Sequence, residues 1–583
     1  MIFHLLEELR GSVAECLPAA MLERLKLPDR ETSLRAVHFP PDGTTFAQLT
    51  GWSSPAHRRL IFEELFYLEL GLELKRRNMR KRAGIGFATN ETIREALREV
   101  LPFHPTKAQK KALGEIVDDM RQPSPMRRLL QGDVGSGKTI VAFQAMLVAI
   151  ENGYQAALMA PTEILATQHF LAARKLLERS SRSPRVVLLT GSLDEDRKRA
   201  TRRAINNGEA QLVIGTHALI EEKVEFDKLG LVVVDEQHRF GVMQRFRMTK
   251  KPNQAEPDLL VMTATPIPRT LALSLYGDLD ISILNELPPG RTPIMTRRVQ
   301  EERMDSVWEF VRKQVGAGRQ AYIVYPVIEG AKDDQPELDF PREEAEEVEA
   351  APAPKKKSRK KGADLFAAEA PEAPSSGKLG LKSAVDMHEK LRTGPLSGLR
   401  VGLLHGRLGA DDKEVVMRRF QRGEIDVLVA TTVVEVGVDV PNATVMVVEH
   451  AERFGLAQLH QLRGRVGRGA ARSYCILATG RRVSPVGEER LNAMVRTQDG
   501  FELAELDLSI RGPGEFFGTR QAGLPDFRVA NLVRDRELLE LAKVEAARFV
   551  QDPTEDVTET EKAQIRKRLI ANRQRRYGLV EAG

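Results

Sequence analysis

Cysteine, aromatic residues and long apolar runs are scarce in this 583-residue sequence, of which only 5% is aromatic. Its two cysteines, Cys16 and Cys475, lie far apart along the chain, which excludes a disulfide framework or a thiolate metal site as the basis of the fold. No uninterrupted apolar run reaches the roughly 18 residues of a membrane span. No basic segment precedes an apolar one at the start, so we expect no secretion signal and a cytoplasmic location.

Hydrophobic residues make up 42% of the chain and charged residues 29%, which is the composition of a protein with several buried cores. We expect three or four domains. The formal net charge is +6 and the pI is near 9.1. This charge permits nucleic-acid binding but is weak evidence over such a length, because a generic basic surface would give the same balance.

Apolar periodicity divides the chain into four regions. Residues 1–95 show helical spacing and are interpreted as a helical connector. Residues 96–288 and 289–490 each alternate short aliphatic runs with amphipathic stretches, the pattern of a parallel α/β lobe. The fold class expected is therefore α/β, with two tandem parallel-sheet lobes and a carboxy-terminal region at 491–583. The predicted strands are 156–160, 185–189, 211–214, 231–234 and 259–262 in the first lobe, and 320–324, 400–404, 427–430, 444–448 and 473–477 in the second.

A segment within the second lobe, at about 331–377, is acidic and then rich in alanine and proline. Such a composition cannot bury a core, so we expect a disordered insertion. It contains a basic cluster at 355–361. That cluster is interpreted either as an arm that grasps DNA or as an ordinary solvated loop, and the sequence does not decide between the two.

The most specific local pattern is the sequence GDVGSGKT at 132–139, which lies between an apolar run and a helix-like segment. Its glycines allow backbone N–H groups to converge on phosphate oxygens, Lys138 neutralises the charge of the β- and γ-phosphates, and Thr139 offers its hydroxyl to Mg²⁺. A chance glycine-rich turn is the alternative. The pattern predicts binding of ATP and Mg²⁺, with Gly132, Gly135, Ser136, Gly137, Lys138 and Thr139 as the binding residues.

An acidic pair, Asp235 and Glu236, ends the apolar run 231–234. Hydrolysis of a magnesium–nucleotide needs an anionic ligand for the metal and a group that orients the attacking water. We assign Asp235 to the metal and Glu236 to the water. The alternative is a solvated strand end, which the phosphate loop upstream makes less attractive.

Arginines in the segment 461–468, QLRGRVGR, are candidates for stabilising charge on the transferred phosphoryl group. Because this segment belongs to the second lobe, Arg465 and Arg468 can reach the nucleotide only when the lobes close together. This arrangement would couple hydrolysis to motion. A basic loop that binds the phosphates of nucleic acid is the competing interpretation.

The order of these segments resembles that of superfamily 2 helicases over nearly all of residues 100–480. The resemblance implies that Phe103 and Gln109 contact the adenine, that Arg465 and Arg468 act as arginine fingers, and that Gly437 and Asp439 join the nucleotide cleft. The remaining residues that it implies as DNA-contacting or coupling residues are Thr162, Gly191, Thr216, His238, Thr265, Arg269 and Thr432. The segments that carry the resemblance are 160–166, 215–219, 235–238, 263–270, 404–407, 430–439 and 461–468.

Small hydroxyl residues and backbone amides hold phosphates without contacting base edges. A motor that uses Thr162, Thr216 and Thr432 in this way would step along any sequence, so no sequence preference is expected. The segment 263–266, Thr-Ala-Thr-Pro, is by itself equally consistent with a tight connector. Beside the other motifs it is interpreted as the element that couples hydrolysis to movement of the lobes.

The segment 499–521 resembles the translocation motif of two families of duplex-DNA translocases, RecG and the transcription-repair factor Mfd. In those families a helical hairpin and loop transmit lobe closure to DNA, which implies Arg511 and Gln521 as coupling residues. A plain loop at 512–514 is the alternative. The sequences DEQH followed by RFG at 235–241 and AGLPDF at 522–527 favour the RecG family.

RecG proteins carry an amino-terminal wedge domain, an oligonucleotide-binding barrel, and this sequence has no series of short strands before about residue 38. The resemblance implies a bacterial, nucleoid-associated, monomeric ATPase of 3'–5' type with duplex and branched DNA as partners, and possible contact with single-strand-binding protein. Its role would be reversal of stalled forks and migration of Holliday junctions. Whether selectivity for branches survives without a wedge is left open. The alternatives are a non-catalytic DNA-binding scaffold and an RNA-remodelling enzyme of related fold.

Overall fold

A computed structural model describes most of the chain. The residues described are 2–101, 103–179, 184–236, 255–263, 279–288, 292–326, 384–432, 439–469, 471–516, 527–532, 534–551 and 557–575.

The amino-terminal part is helical, as the sequence predicted. Its longest helix has 26 residues and begins at a Ser54 cap, whose hydroxyl accepts a hydrogen bond from the His57 backbone N–H at 3.3 Å, with Pro55 in the first turn. The helices are α1 (Ile2–Glu8), α2 (Ala19–Leu25), α3 (Arg30–His38), α4 (Phe46–Thr50), α5 (Pro55–Arg80) and α6 (Glu91–Val100). In the described residues no helix combines the length and the apolar character that crossing a membrane requires.

The first lobe is a seven-stranded parallel sheet with the strand order β3-β4-β2-β5-β6-β1-β7. Its strands are β1 (Arg127–Gly132), β2 (Gln155–Met159), β3 (Val186–Leu189), β4 (Leu212–Gly215), β5 (Leu229–Val234), β6 (Asp258–Thr263) and β7 (Asp280–Leu284). Its helices are α7 (Lys107–Met120), α8 (Lys138–Glu151), α9 (Glu163–Leu177) and α10 (Glu195–Asn206).

Both faces of this sheet are covered, as a parallel sheet requires. One face packs under helices α6 to α9, where Ala112, Val141 and Met146 meet the strand residue Val233. The other face packs against α10 and the 3₁₀ turn His217–Ile220. Strands β1, β2, β4 and β6 are buried throughout, and this burial explains the apolar runs of β2, β4 and β6.

The second lobe is a six-stranded parallel sheet with the order β10-β11-β9-β12-β13-β8. Its strands are β8 (Met295–Gln300), β9 (Gln320–Val324), β10 (Val401–Leu404), β11 (Val427–Ala430), β12 (Ala443–Val448) and β13 (Tyr474–Thr479). Its helices are α11 (Met304–Gly316), α12 (Ala384–Thr393), α13 (Ala410–Gln421), α14 (Leu456–Arg463) and α15 (Pro485–Arg496). The prediction of two α/β lobes with parallel sheets is confirmed, and the insertion predicted at 331–377 lies outside the described residues.

Three carboxy-terminal helices follow the second lobe, namely α16 (Gly500–Phe516), α17 (Arg536–Gln551) and α18 (Glu559–Arg575). Helices α17 and α18 do not form a core of their own. Leu539 and Ile565 share one apolar cluster with Leu17, Ile61 and Phe66 from the amino-terminal helices. The two ends of the described chain therefore build a single helical unit.

Buried charges also join the two ends of the chain. Arg59, which is fully buried in α5, donates to Glu63 at 2.9 Å, and Glu63 accepts from Arg568 of α18 at 3.0 Å. The next carboxylate of α5, Glu64, accepts hydrogen bonds from the backbone N–H groups of residues 528–530 at 3.0–3.1 Å. Removal of one partner from such a buried network would leave an uncompensated charge, so these contacts fix α5 relative to the carboxy-terminal segment.

Candidate nucleotide site at the junction of the lobes

The predicted nucleotide residues of the first lobe lie at one edge of its sheet. The phosphate loop follows β1, and Asp235 follows β5. Only β6 separates these two strands in the sheet order. Because parallel strands end on the same side, the loop and the acidic pair are neighbours in space, at the place where open α/β sheets bind ligands.

Two glycines of the phosphate loop have positive φ angles, +78° at Gly135 and +89° at Gly137. A Cβ atom added at Gly137 would lie 2.2 Å from Nε2 of Gln109, and one at Gly132 would lie 2.5 Å from Oγ of Ser136. Gly135 and Gly137 therefore require glycine for the backbone conformation, and Gly132 and Gly137 require it for the close approach of neighbouring groups.

Lys138 is buried at the start of α8, and its ammonium group lies on the loop itself. Nζ donates to the carbonyl oxygens of Gly132 and Asp133 at 2.8 and 2.9 Å. Burial lowers the pKa of Lys138, an effect that the nearby carboxylates of Glu236, Asp235 and Asp133 oppose. Lys138 is thus held within the loop, and a phosphate bound there would attract its ammonium group.

Gln109 performs two functions through one amide group. Its Oε1 accepts from the Thr106 backbone N–H at 3.0 Å and completes a capping box at the start of α7, while its Nε2 donates to the Ser136 carbonyl at 2.9 Å. The side chain of Phe103 nearby in sequence is 46% exposed. The predicted role of both residues in contacting adenine stays a prediction.

Asp235 is hydrogen-bonded to His169 of α9, a residue that the sequence did not point to. Nε2 of His169 lies 2.8 Å from Oδ2 of Asp235. Burial would raise the pKa of the Asp235 carboxyl, but the hydrogen bond from His169 and the charges of His169 and Lys138 hold the pKa below its usual value. Asp235 is therefore a buried, ionised carboxylate, which is the form that a hard cation prefers.

Glu236 has φ = +51°, an uncommon backbone angle for a residue other than glycine. Its backbone N–H donates to Oδ1 of Asp235 at 3.1 Å. The left-handed conformation turns the chain directly after β5, so that consecutive carboxylates leave the strand end in different directions. Such an outlier is typical of functional sites.

The two predicted arginine fingers lie within electrostatic reach of these groups. Burial and the charge of Arg468 lower the pKa of Arg465. Asp439 and Tyr322 of the second lobe oppose this shift, and so does Glu236 of the first lobe. Arg468 forms an ion pair with Asp439, and its charge also acts on Lys138 of the phosphate loop. Positive groups of the second lobe therefore face the acidic pair and the lysine of the first.

The lobes also meet directly at the phosphate loop. Nε2 of His460, in α14, lies 2.5 Å from Oδ1 of Asp133. A Cβ atom on Gly464 would lie 2.9 Å from the Cβ and Cγ1 atoms of Val134. Ile164 of the first lobe packs against the core of the second. Helix α14, which precedes the predicted arginine fingers, therefore packs against the predicted phosphate loop.

Three of the residues predicted to contact the DNA backbone follow the strands in the other half of the first sheet. Thr162 follows β2, Gly191 follows β3 and Thr216 follows β4, while Thr432 follows β11 in the second lobe. Thr162 caps α9, its hydroxyl accepting from Leu165 N–H at 3.3 Å. Thr216 is buried. In the sheet order, β3, β4 and β2 lie on one side, and β5, β6 and β1 lie on the other. The residues predicted to contact DNA and those predicted to bind nucleotide therefore follow different halves of the same sheet.

Several predicted residues lie outside the described residues. They are His238, Thr265, Arg269, Gly437 and Gln521, together with the side chain of Arg511, whose backbone belongs to α16.

Sequence reasoning missed His169 and Asp133 at this site, and also His460, which contacts the loop from the second lobe. His169 carried a weak signal, because it lies six residues after Glu163 on the helix that follows a recognised motif. Asp133 is inside the phosphate loop and His460 directly precedes the segment 461–468. Their pairing joins positions 327 residues apart, which no local pattern contains.

The donors present fit a magnesium–nucleotide. The loop supplies backbone N–H groups and Lys138, and Oγ of Ser136 is buried with no hydrogen-bond partner among the described residues. Thr139 and Asp235 supply oxygen ligands of the kind that Mg²⁺ takes in company with phosphate. No group of three or more His, Cys, Asp or Glu in the described chain could hold a metal by itself.

Three family models match the chain. Residues 106–273 match the DEAD/DEAH box helicase model, and residues 380–470 match the helicase conserved C-terminal domain. Residues 497–577 match the model of ATP-dependent DNA helicase RecG, domain 3, C-terminal. The two lobes and these matches make the chain similar to two-lobed helicases.

ATP-dependent DNA helicase RecG of Streptococcus pneumoniae is 44% identical over 532 residues, which cover 91% of this chain and 70% of that protein. The chain belongs to the RecG family. The RecG protein of Synechocystis sp. is 44% identical over 93% of this chain and 59% of its own length. A solved structure of RecG bound to a three-way DNA junction is 41% identical, with a TM-score of 0.66 over 91% of this chain and 62% of that chain. The chain thus spans about 60–70% of the length of these relatives.

Proposed function

We propose that this chain is an ATP-dependent helicase that translocates on duplex DNA and acts on branched DNA, driving reversal of stalled forks and branch migration of Holliday junctions in recombination and repair. The observation that supports this most strongly is the meeting of both lobes at one phosphate loop. Arginines of the second lobe act electrostatically on Lys138 and Glu236 of the first. Hydrolysis at such a site depends on the relative position of the lobes, which is the requirement for a motor.

The roles of the chain's own residues follow from their positions. The backbone of residues 132–139 and the ammonium of Lys138 hold the phosphates, with Thr139 and Asp235 as ligands of Mg²⁺. Glu236 orients the attacking water and takes its proton. Arg465 and Arg468 neutralise charge that develops on the transferred group, a contribution that can reach 10³–10⁵-fold in related enzymes, roughly 4 to 7 kcal/mol.

The partner proposed is DNA, both duplex and branched, because RecG is the family and a RecG structure contains a three-way DNA junction. Thr162, Gly191, Thr216 and Thr432 are the proposed backbone contacts, and Arg511 with Gln521 the proposed coupling residues. A monomer at the bacterial nucleoid, contact with single-strand-binding protein and 3'–5' polarity complete the proposal.

The test is ATP hydrolysis with no nucleic acid, linear duplex DNA, a branched fork and duplex RNA, with fork unwinding followed in the same tubes. Lys138→Ala is the inactive control. Arg468→Ala tests the proposed arginine finger, and Arg482→Ala, at an exposed arginine of the second lobe, is its matched control. Strong stimulation by DNA with fork unwinding supports the whole proposal. Stimulation without unwinding supports a duplex motor that does not select branches. Absence of stimulation by any DNA would overturn the enzymatic function, and stronger stimulation by duplex RNA would replace DNA as the substrate.

A further inference from the structure

His460 makes hydrogen bonds to both lobes through the two nitrogens of its ring. Nε2 lies 2.5 Å from Oδ1 of Asp133 in the phosphate loop, and Nδ1 lies 2.9 Å from Nη2 of Arg463, one helical turn further along α14. The ring is buried. It is therefore placed between a carboxylate of one lobe and a guanidinium of the other.

The hydrogen-bond pattern defines the protonation of this ring. The carboxylate of Asp133 is ionised, since hydrogen bonds from His460 and the Val134 backbone N–H outweigh burial and bring its pKa below the usual value. An ionised carboxylate only accepts, so Nε2 of His460 must donate. A guanidinium only donates, so Nδ1 must accept. The neutral tautomer with a proton on Nε2 satisfies both bonds at once.

Arg463 carries the connection beyond the nucleotide site. Its side chain is buried, and Nη1 donates to the carbonyl oxygens of Met494 and Thr497, both at 2.9 Å. Thr497 lies three residues before α16 begins. The next residue, Gln498, is held by Ile294: its Oε1 accepts from the Ile294 N–H at 3.2 Å and its Nε2 donates to the Ile294 carbonyl at 3.1 Å.

A continuous series of hydrogen bonds thus leads from the phosphate loop to the start of α16. Its first bond is the sensitive one, because the negative charge of Asp133 lies in a loop built to receive phosphates. Lys138 donates to the Asp133 carbonyl at 2.9 Å. A bound triphosphate would repel the Asp133 carboxylate and attract the Lys138 ammonium away from that carbonyl. Any shift of Asp133 moves the acceptor of His460 and so the position of Arg463.

We propose that His460 is a positioning residue that couples occupancy of the phosphate loop to the helix α16, through Asp133 on one side and Arg463 on the other. This inference rests on the proposed function, because it assigns a route between the nucleotide and DNA-dependent movement. His460 does not touch nucleotide or DNA in this role. Loss of the His460 ring uncouples nucleotide binding from DNA-dependent movement of α16 and abolishes neither.

The test uses two substitutions that each keep one half of the ring's hydrogen bonds. His460→Gln places an amide N–H near the position of Nε2 and keeps the bond to Asp133, but loses the acceptor for Arg463. His460→Asn keeps an acceptor near Nδ1 and loses the bond to Asp133. His388→Gln is the matched control, a histidine of the same lobe whose Nε2 lies 3.3 Å from the Val401 carbonyl, away from the cleft.

The measurement is the affinity of a fluorescent ATP analogue for the full chain with and without saturating duplex DNA, together with the affinity for DNA alone. Reciprocal coupling of this kind usually amounts to about 5–150-fold. We expect both His460 variants to bind each ligand alone within about twofold of the natural chain while the coupling factor falls below about twofold. The His388→Gln control keeps the full coupling factor.

Two outcomes would overturn the inference. Coupling that persists in both variants would exclude His460 from the route, and equal loss of nucleotide affinity without DNA would mean that the residue only supports the phosphate loop. Thermal unfolding of each variant identifies a variant that is merely misfolded, in which case the other variant decides. ATP turnover of the natural chain with DNA is measured in parallel. If DNA does not stimulate it, the proposed function fails, whereas stimulation with unchanged coupling in the variants overturns the role of His460 alone.

Discussion

His169 donates to Asp235 at 2.8 Å and thereby orients the carboxylate proposed to bind Mg²⁺. Partners of this kind hold a ligand in one rotamer, and their loss usually costs about 10–100-fold in metal affinity or activity. We predict that His169→Ala raises the Mg²⁺ concentration for half-maximal ATP turnover by about tenfold, with a smaller change at saturating Mg²⁺. Titration of turnover with Mg²⁺ measures this, and an unchanged midpoint would remove His169 from the site.

Gln109 allows its two functions to be separated. Gln109→Glu keeps an oxygen for the capping box of α7 but loses the N–H that donates to Ser136 and adds a negative charge beside the phosphates. We predict a KM for ATP raised by about tenfold or more, because the variant loses a neutral hydrogen bond of about 0.5–1.5 kcal/mol and adds repulsion between its carboxylate and the phosphates. Gln109→Ala should in addition lower the free energy of unfolding by about 1 kcal/mol through loss of the cap. Steady-state kinetics and denaturant unfolding separate these effects, and a KM that Gln109→Glu leaves unchanged would contradict the first.

Gly464 lies so close to Val134 that the lobes can meet only if no side chain is present. Gly464→Ala would place a Cβ atom 2.9 Å from Val134, so we predict that α14 is pushed off the phosphate loop and that DNA-stimulated turnover falls by about tenfold or more. The double variant with Val134→Ala should recover most of the loss. Gly114→Ala, in α7 with no atom within 4 Å of the added Cβ, is the control and should keep full turnover. A fall in the control equal to that of Gly464→Ala would argue against steric separation of the lobes.

Glu69 is a buried carboxyl of α5 whose pKa is raised to about 7, mainly by burial and against the opposing charges of Arg76 and Lys543. Because the folded pKa lies above the unfolded value, the folded chain binds the proton more tightly. Stability is therefore highest below about pH 4.5 for this group and falls as pH rises towards 7. Glu540 and Glu73 face the same group and strengthen the effect.

Glu69→Gln removes the ionisation while keeping the shape of the side chain. We predict that it stabilises the chain at pH 8 by up to about 3 kcal/mol, at roughly 1.4 kcal/mol per pKa unit, and has much less effect at pH 5. Thermal unfolding at both pH values gives the difference. Glu95→Gln, at an exposed position of α6, should show no such dependence on pH. Equal shifts of Glu69→Gln at pH 5 and pH 8 would refute the assignment.

Buried strands that carry a continuous apolar run could be predicted closely. The run predicted at 427–430 is β11 without change, and that at 231–234 is all but the first two residues of β5. The buried strand β1, with the sequence RRLLQG, and the edge strands β7 and β8 were missed. The sequence MTRRVQ of β8 is only half buried, and its polar residues hide it from a search for apolar runs.

The site divides in the same way. Lys138 and Asp235 occur in patterns whose chemistry is local, so the sequence could predict their roles, which stay predictions. The pairs His169–Asp235 and His460–Asp133 exist only because the fold brings distant segments together. A histidine in a sequence does not show which of its nitrogens will find a carboxylate.

The helical unit made from both ends of the chain has a consequence for biosynthesis. Ile61 shares its apolar cluster with Ile565, which leaves the ribosome about 500 residues later. At usual rates of synthesis this delay is roughly 25–100 s, long enough for both sheets to form in the interval. During that time the apolar face of α5 is without Leu539 and Ala542, its later neighbours. A nascent chain of this protein therefore leaves that face of α5 uncovered until α17 and α18 have been synthesised, and a stop codon before α17 would leave it without these neighbours.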